Sequence, residues 1–405
     1  MKRKKNIIEE GIMSLLYIFS KKYFLITFIC TIYIFIFIFE KNFALNINSY
    51  LFKKKLKAEI TKIFNKTGKI NINEIENNLL DNRNNKNVKF NSFHRKCRNV
   101  KNIINVGFTL DPEYILETML TVTSIMKTQN NTTEIVFHFG VTNNFTADNM
   151  LKMYELKRKI NNLTEFNFYY LKGAIKKMQN FHIKGVACPG KFELPELLPD
   201  NVKKLLLFDA GDVLVFRDLT ELYCYDIKDY WVLGTPEPQC IYAHNKIGYN
   251  LTKYLNIGSL LLNVEKLKQN KFWNIYTSKR NLRTKGPPDQ SLFNILVPDN
   301  KKDYFPFRFG GLTPFNEDRN SDKLEYHNYG FRKWLNSSFS SSFPENPKSL
   351  DRLTAQLYNP AFIHQWNGKW HEGKGLSIYR NLAKYFIKLA GIWDELCSIK
   401  PGFCI

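Results

Sequence analysis

The chain has 405 residues and a formal net charge of +22, with 44% hydrophobic and 15% aromatic residues. That content supplies a core for one large or two ordinary domains and excludes a disordered protein. The charge alone would suggest nucleic acid, but Lys and Arg are scattered and no recognition motif accompanies them. Lys, Asn, Ile, Phe and Tyr are abundant together, as an A/T-biased genome would write, so nucleic acid is not an expected partner.

Tyr23 to Phe39 runs without a formal charge between Lys21-Lys22 and Glu40-Lys41, which predicts a membrane span at the short end of the spanning range. Lys2, Arg3, Lys4, Lys5, Lys21 and Lys22 precede it, so the positive-inside tendency makes residues 1–22 a cytoplasmic tail and sends the remainder to the lumen. The expectation is a single-pass type II signal anchor at 23–39 in the Golgi or endoplasmic reticulum membrane. A cleaved signal peptide is the rival, although no small-x-small site follows the apolar run. Cys97, Cys188, Cys224, Cys240, Cys397 and Cys404 then fall in an oxidising compartment, where disulfides form but sequence does not choose their pairing. Glycosylation sequons at Asn65, Asn130, Asn131, Asn144, Asn162, Asn250 and Asn336 agree with that side of the membrane.

Residues 40–100 are rich in Asn and Lys and read as a stem, with a short helix over 50–66 where Leu51, Leu56, Ile60 and Ile63 fall near helical spacing. Residues 101–405 form the main domain. Its first half alternates: a strand over Ile103 to Phe108, a helix over Tyr114 to Met126, strands over Glu134 to Gly140 and Phe166 to Leu171, and between these a helix over Asn149 to Ile160. This βαβαβ order predicts an α/β fold with a mostly parallel sheet flanked by helices and ligands at the carboxyl ends of its strands.

Lys203 to Phe216 places Asp209 and Asp212 between two continuous apolar blocks, where an uncompensated carboxylate is heavily penalised. A divalent metal carrying phosphates would satisfy both carboxylates; a solvent-facing turn is the other reading. Residues three apart do not share a face of a strand, so Gly211 must supply a bulge or tight turn if both carboxylates are to reach one ion.

Four further blocks accompany this one: Asn105 to Tyr114, Ala187 to Pro199, Asn256 to Asn263 with Pro287 to Asn294, and Phe362 to Trp370. In that order they resemble glycosyltransferase family 8, the retaining nucleotide-sugar transferases of GT-A fold. The resemblance implies that Phe108, Thr109, Asp111 and Tyr114 border the nucleotide, and that Asp209, Asp212 and His364 bind Mn2+ or Mg2+. Lys191 would face the diphosphate or the donor sugar, Gly368 and Lys369 the diphosphate, Asn256 and Gly258 the sugar, and Asp289 and Gln290 the anomeric carbon. It further implies a UDP-sugar donor and a glycan or glycoprotein acceptor. Taken singly, these residues also have structural readings: a helix cap for Thr109, Asp111 or Asp289, a solvated helix face for Lys191 and a structural role for His364. The chain departs from the family pattern in reading Asp-Ala-Gly-Asp for Asp-x-Asp, in Lys191 where Arg is commoner, and in Ser291 where many members have Asp. Those departures motivate a second expectation, a catalytically silent homologue that binds sugar nucleotides or acts as a Golgi scaffold.

Overall fold

The computed structural model describes residues 51, 53–72, 74, 103–130, 132–160, 163–178, 187–227, 229–237, 239–285, 287–304, 310–313, 362–365 and 377–399. The chain divides into two compact units, Met1–Glu59 and Ile60–Ile405. In the first, residues 51 and 53–59 are helical. The expected span at 23–39 lies outside the described residues; among those described, no helix is long and apolar enough to cross a membrane.

Among the described residues, the second unit holds two sheets. Strands β1 (Lys69–Asn71), β2 (Ile103–Leu110), β3 (Glu134–Val141), β4 (Thr164–Tyr170), β5 (Lys204–Phe208), β7 (Val232–Pro236), β8 (Leu255–Asn263) and β9 (Lys302–Tyr304) form the larger one, in the order β1-β4-β3-β2-β5-β8-β7-β9. The smaller has the order β10-β11-β6, from β10 (Gly310–Thr313), β11 (Phe362–Gln365) and β6 (Val213–Val215). Helices α1 (Ile115–Thr128) and α2 (Ala147–Ile160) connect β2, β3 and β4, which run parallel, so the expected βαβαβ unit is present.

One face of these strands is an aromatic layer. Phe108, Phe137, Phe139, Phe166 and Phe168 are fully buried, with neighbouring ring centroids such as Phe108–Phe139 at 5.7 Å and Phe139–Phe168 at 5.0 Å. Burying rings of this size is the main source of stability in such a layer. A second cluster gathers Phe192, Phe272, Tyr276 and Phe293, with Phe192 stacked on Phe293 at 4.6 Å.

The sheet is not wholly parallel. Strand β5 pairs parallel with β2, while β8 runs antiparallel between β5 and β7. The reversal of β8 brings its beginning to the edge where β2, β5 and β7 end. The sheet also reaches further back in sequence than expected: β1 pairs antiparallel with β4, and Ile60, Ile70 and Ile72 are buried. Part of the segment read as a stem therefore belongs to the folded domain, because β4 would otherwise present a bare hydrogen-bonding edge.

Cys188, Cys224 and Cys240 are free thiols, and Cys397 is in a disulfide.

Candidate active site

The carboxyl edge of β2 and β5 gathers the site. These strands pair at Val106–Leu206 and Gly107–Leu207, so the segments beyond them, carrying Thr109, Asp111 and Asp209, emerge side by side. The chain then turns through 209–212 before entering β6. Gly211 has φ +76°, the left-handed conformation that the extra residue of Asp-Ala-Gly-Asp was expected to require. Helix α1 clamps strand β6 beyond the turn: the Thr121 hydroxyl donates to the Val213 carbonyl at 2.9 Å, and the Val215 amide donates to the Ser124 hydroxyl at 3.1 Å. These bonds satisfy the outer edge of β6 and fix the turn between two rigid elements.

Lys191 follows helix α3 (Ala187–Gly190) and is 5% exposed, not on a solvated helix face. Its ammonium forms an ion pair with Asp209 Oδ1. Burial opposes its charge, but Asp209, then Cys188 and Asp289, hold its pKa above the usual lysine value. Cys188 reports the same assembly from inside. Burial first, opposed by Lys191 and reinforced by Asp289, Asp209 and Asp111, pushes its thiol up to about 12. One lysine and three carboxylates from separate blocks thus lie close enough to a single half-buried thiol to act on it. Asp289 lies in the first turn of the helix Pro288–Leu296, whose N-cap is Pro287, so the capping alternative for Asp289 does not apply.

Several assigned residues are engaged within the protein. The Asn256 side-chain amide donates to Glu237 Oε2 at 2.9 Å and its oxygen accepts the Gly258 amide at 2.8 Å. Gln290 does the same with Glu237 Oε2 at 2.9 Å and the Ile257 amide at 3.2 Å. The Gly258 carbonyl accepts the Asp209 amide at 2.8 Å. Phe108 requires a correction: at 0% exposure inside the aromatic layer it offers no surface for a nucleotide to touch. Ser291 also faces inward, donating to the Lys285 carbonyl at 2.6 Å and bonding the Tyr254 hydroxyl at 3.0 Å, so it lines the core. Tyr114 is partly exposed just after Asp111.

Strand register brings His364 into the region, directly opposite Val213 and so beside Asp212 in the chain. Gly368 and Lys369 lie outside the described residues. Among the described residues no three His, Cys, Asp or Glu side chains form a ready metal cage. The donor chemistry nonetheless suits a hard divalent cation. Asp111 Oδ2 and Thr109 Oγ1 are buried without a hydrogen-bond partner, and Asp212 Oδ1 is buried at the same edge. Oxygen atoms left in that state are stabilised by a cation or by groups it carries.

Glu237 was not found from sequence. It lies just after β7, 2% exposed, and a buried glutamate is rare enough that composition gives no warning. The signal available was an acid between Pro236 and Pro238 at the end of an apolar strand.

The family model for glycosyl transferase family 8 matches residues 105–326, more than half of the chain, and the chain belongs to that family. Among solved structures, the chain is similar to the bifunctional glycosyltransferase WbbM, at 12% identity and a TM-score of 0.52, over 81% of this chain and 58% of that one. Galactosyltransferase LgtC, solved with donor and acceptor sugar analogues, aligns at 20% identity and a TM-score of 0.48, over 71% of this chain and 95% of that one. Mouse xyloside xylosyltransferase 1 aligns at 10% identity and a TM-score of 0.42, over 65% and 97%. No curated protein matches the sequence. The mixed α/β architecture with a mostly parallel sheet agrees with GT-A glycosyltransferases.

Proposed function

We infer that this chain transfers a sugar from a UDP-sugar to a glycan or glycoprotein acceptor with retention at the anomeric carbon. The observation that carries the reading is the ion pair of Lys191 with Asp209 just beyond β5, beside the unpartnered buried oxygens of Thr109 and Asp111 at the end of the adjoining β2, within the family domain. Asp209, Asp212 and His364 would hold Mn2+ or Mg2+. The ion, when bound, neutralises the diphosphate as it leaves. Lys191, kept charged by its carboxylate neighbours, adds a fixed positive charge in a water-poor site, where it acts most strongly. Asp289 positions the reacting sugar, Gly258 shapes the backbone beside it, and Thr109, Asp111 and Tyr114 bind the nucleoside. Gly368 and Lys369 are assigned to the diphosphate on the motif alone. An anchor at residues 23–39 would place the domain in the Golgi or endoplasmic reticulum lumen as a type II protein.

A second reading, a silent sugar-nucleotide-binding homologue, draws support from the internal partners already held by Asp209, Asn256 and Gln290. Release of UDP by the purified full-length chain across a panel of UDP-sugars, with and without Mn2+, separates the two. Manganese-dependent turnover of one donor supports the transferase; UDP binding without turnover, in the presence of candidate acceptors, supports the silent homologue.

A further inference from the structure

Glu237 joins two parts of the site that are otherwise separate in sequence. Its backbone amide donates to the Tyr254 carbonyl at 2.9 Å, which anchors the loop after β7 to the start of β8. Oε2 accepts from both Asn256 Nδ2 and Gln290 Nε2 at 2.9 Å, and Oε1 accepts from Cys240 Sγ at 3.5 Å. Both carboxamides are thereby fixed in one flip state, because their oxygens accept the Gly258 and Ile257 amides. A flipped amide would oppose N–H to N–H on one side and oxygen to carboxylate on the other.

The connection runs on in both directions. Gly258, bonded to Asn256, holds the Asp209 amide through its carbonyl, and Gln290 follows Asp289 in the chain. Glu237 therefore ties the turn bearing Asp209 to the helix bearing Asp289. At 2% exposure, with both oxygens occupied, it does not reach a substrate. Burial raises its pKa, while the bonds from Asn256, Gln290 and Cys240 oppose the rise.

We propose that Glu237 is a positioning residue for sugar transfer: its carboxylate sets the orientation of Asn256 and Gln290, and through them the spacing of the Asp209 turn and the Asp289 helix. This rests on the transferase reading above. Misplacing reacting groups by about 1 Å costs roughly 100-fold in rate, so the effect should appear in kcat.

The test measures kcat and donor KM by UDP release for full-length wild type, Glu237→Ala, Glu237→Gln, Glu237→Asp, Gln290→Ala and the Glu237→Ala/Gln290→Ala pair, with thermal unfolding of each. Glu237→Ala should lower kcat about 100-fold, with donor KM within about threefold, at a Tm that still shows a folded protein. Glu237→Gln can keep its oxygen toward both amides and turn its NH2 to the Cys240 sulfur, recovering kcat to within about fivefold of wild type. Glu237→Asp keeps the charge but is one methylene short, and should fall below Glu237→Gln. In the Gln290→Ala background, Glu237→Ala should cost about tenfold more rather than about 100-fold, since only the Asn256 branch is left to lose and partners in one network are not additive.

Wild-type kcat in Glu237→Ala, full additivity with Gln290→Ala, or Glu237→Asp outperforming Glu237→Gln overturns the proposal. If Glu237→Ala does not fold, the Asp and Gln variants decide it alone. A wild-type chain that turns over no UDP-sugar overturns the transferase reading itself, and the positioning role with it.

Discussion

Gly211 lies flat against Glu117 of α1: a β-carbon at Gly211 would stand 2.2 Å from Glu117 Cβ and 3.0 Å from its Cα. The turn between Asp209 and Asp212 is thus pinned by a helix, with no room for any side chain at its apex. Gly211→Ala should be destabilised by about 2–4 kcal/mol, combining a left-handed backbone at φ +76° with overlap against the helix main chain. Urea unfolding measures the loss. Metal-dependent UDP release should fall further than the unfolded fraction explains, because both carboxylates move with the turn.

Asp212→Asn isolates the charge from the geometry. The amide fits where the carboxylate stood, so the fold and Tm should be unchanged while Mn2+-dependent transfer falls by at least about 100-fold. Unchanged metal-dependent turnover would remove Asp212 from the metal assignment.

The Lys191–Asp209 pair invites a coupled test. Lys191→Met leaves Asp209 without its cation and should cost about 2 kcal/mol, below the usual range for a buried pair because the Asp209 side chain keeps 26% exposure. Adding Asp209→Asn removes the stranded charge and should restore stability to within about 1 kcal/mol of wild type. Denaturant midpoints of the two variants give the answer; activity should stay low in both.

His138 makes stability pH-dependent. Burial lowers its pKa from 6.5 to about 3, and its two nitrogens are engaged by Tyr169 Oη and Asn105 Oδ1, each at 3.0 Å. The Asn105 oxygen only accepts, so His138 is neutral with its proton on Nε2, and Tyr169 donates to Nδ1. Because the folded pKa is depressed, the unfolded chain takes up the proton first. This contribution is complete above 6.5 and is lost as pH falls toward 3, amounting to about 2 kcal/mol at pH 5. A His138→Gln variant should show a flatter stability profile between pH 7 and pH 5 in urea titrations.

The sequence disclosed most where periodicity and chemistry coincide. The β2-α1-β3-α2-β4 run was legible because alternating apolar patterns report directly on burial. The Gly211 turn followed from the parity of strand faces, since carboxylates three apart on a regular strand face opposite sides and a left-handed glycine breaks that register. Lys191, Asp209 and Asp289 were legible as chemistry but not as a cluster, because convergence depends on which strands become neighbours. Phe108 was misassigned for a related reason: adjacent to Thr109 in sequence, it points to the opposite face of β2 and into the aromatic layer. Glu237 left only a faint trace, since its role comes from the reversed strand β8, and nothing in a local window announces that a strand will run backwards.

The pairing of β1 with β4 has a practical side for anyone preparing this protein. A recombinant fragment cut near residue 100, where the motifs begin, would strip Lys69–Asn71 from the sheet and uncover the backbone of Asn167–Tyr169. Such an edge recruits strands from other molecules, so the shortened protein would aggregate even with every site residue intact. A fragment that begins before Ile60 retains the strand and the buried Ile60, Ile70 and Ile72, and is the better starting material for crystals and assays alike.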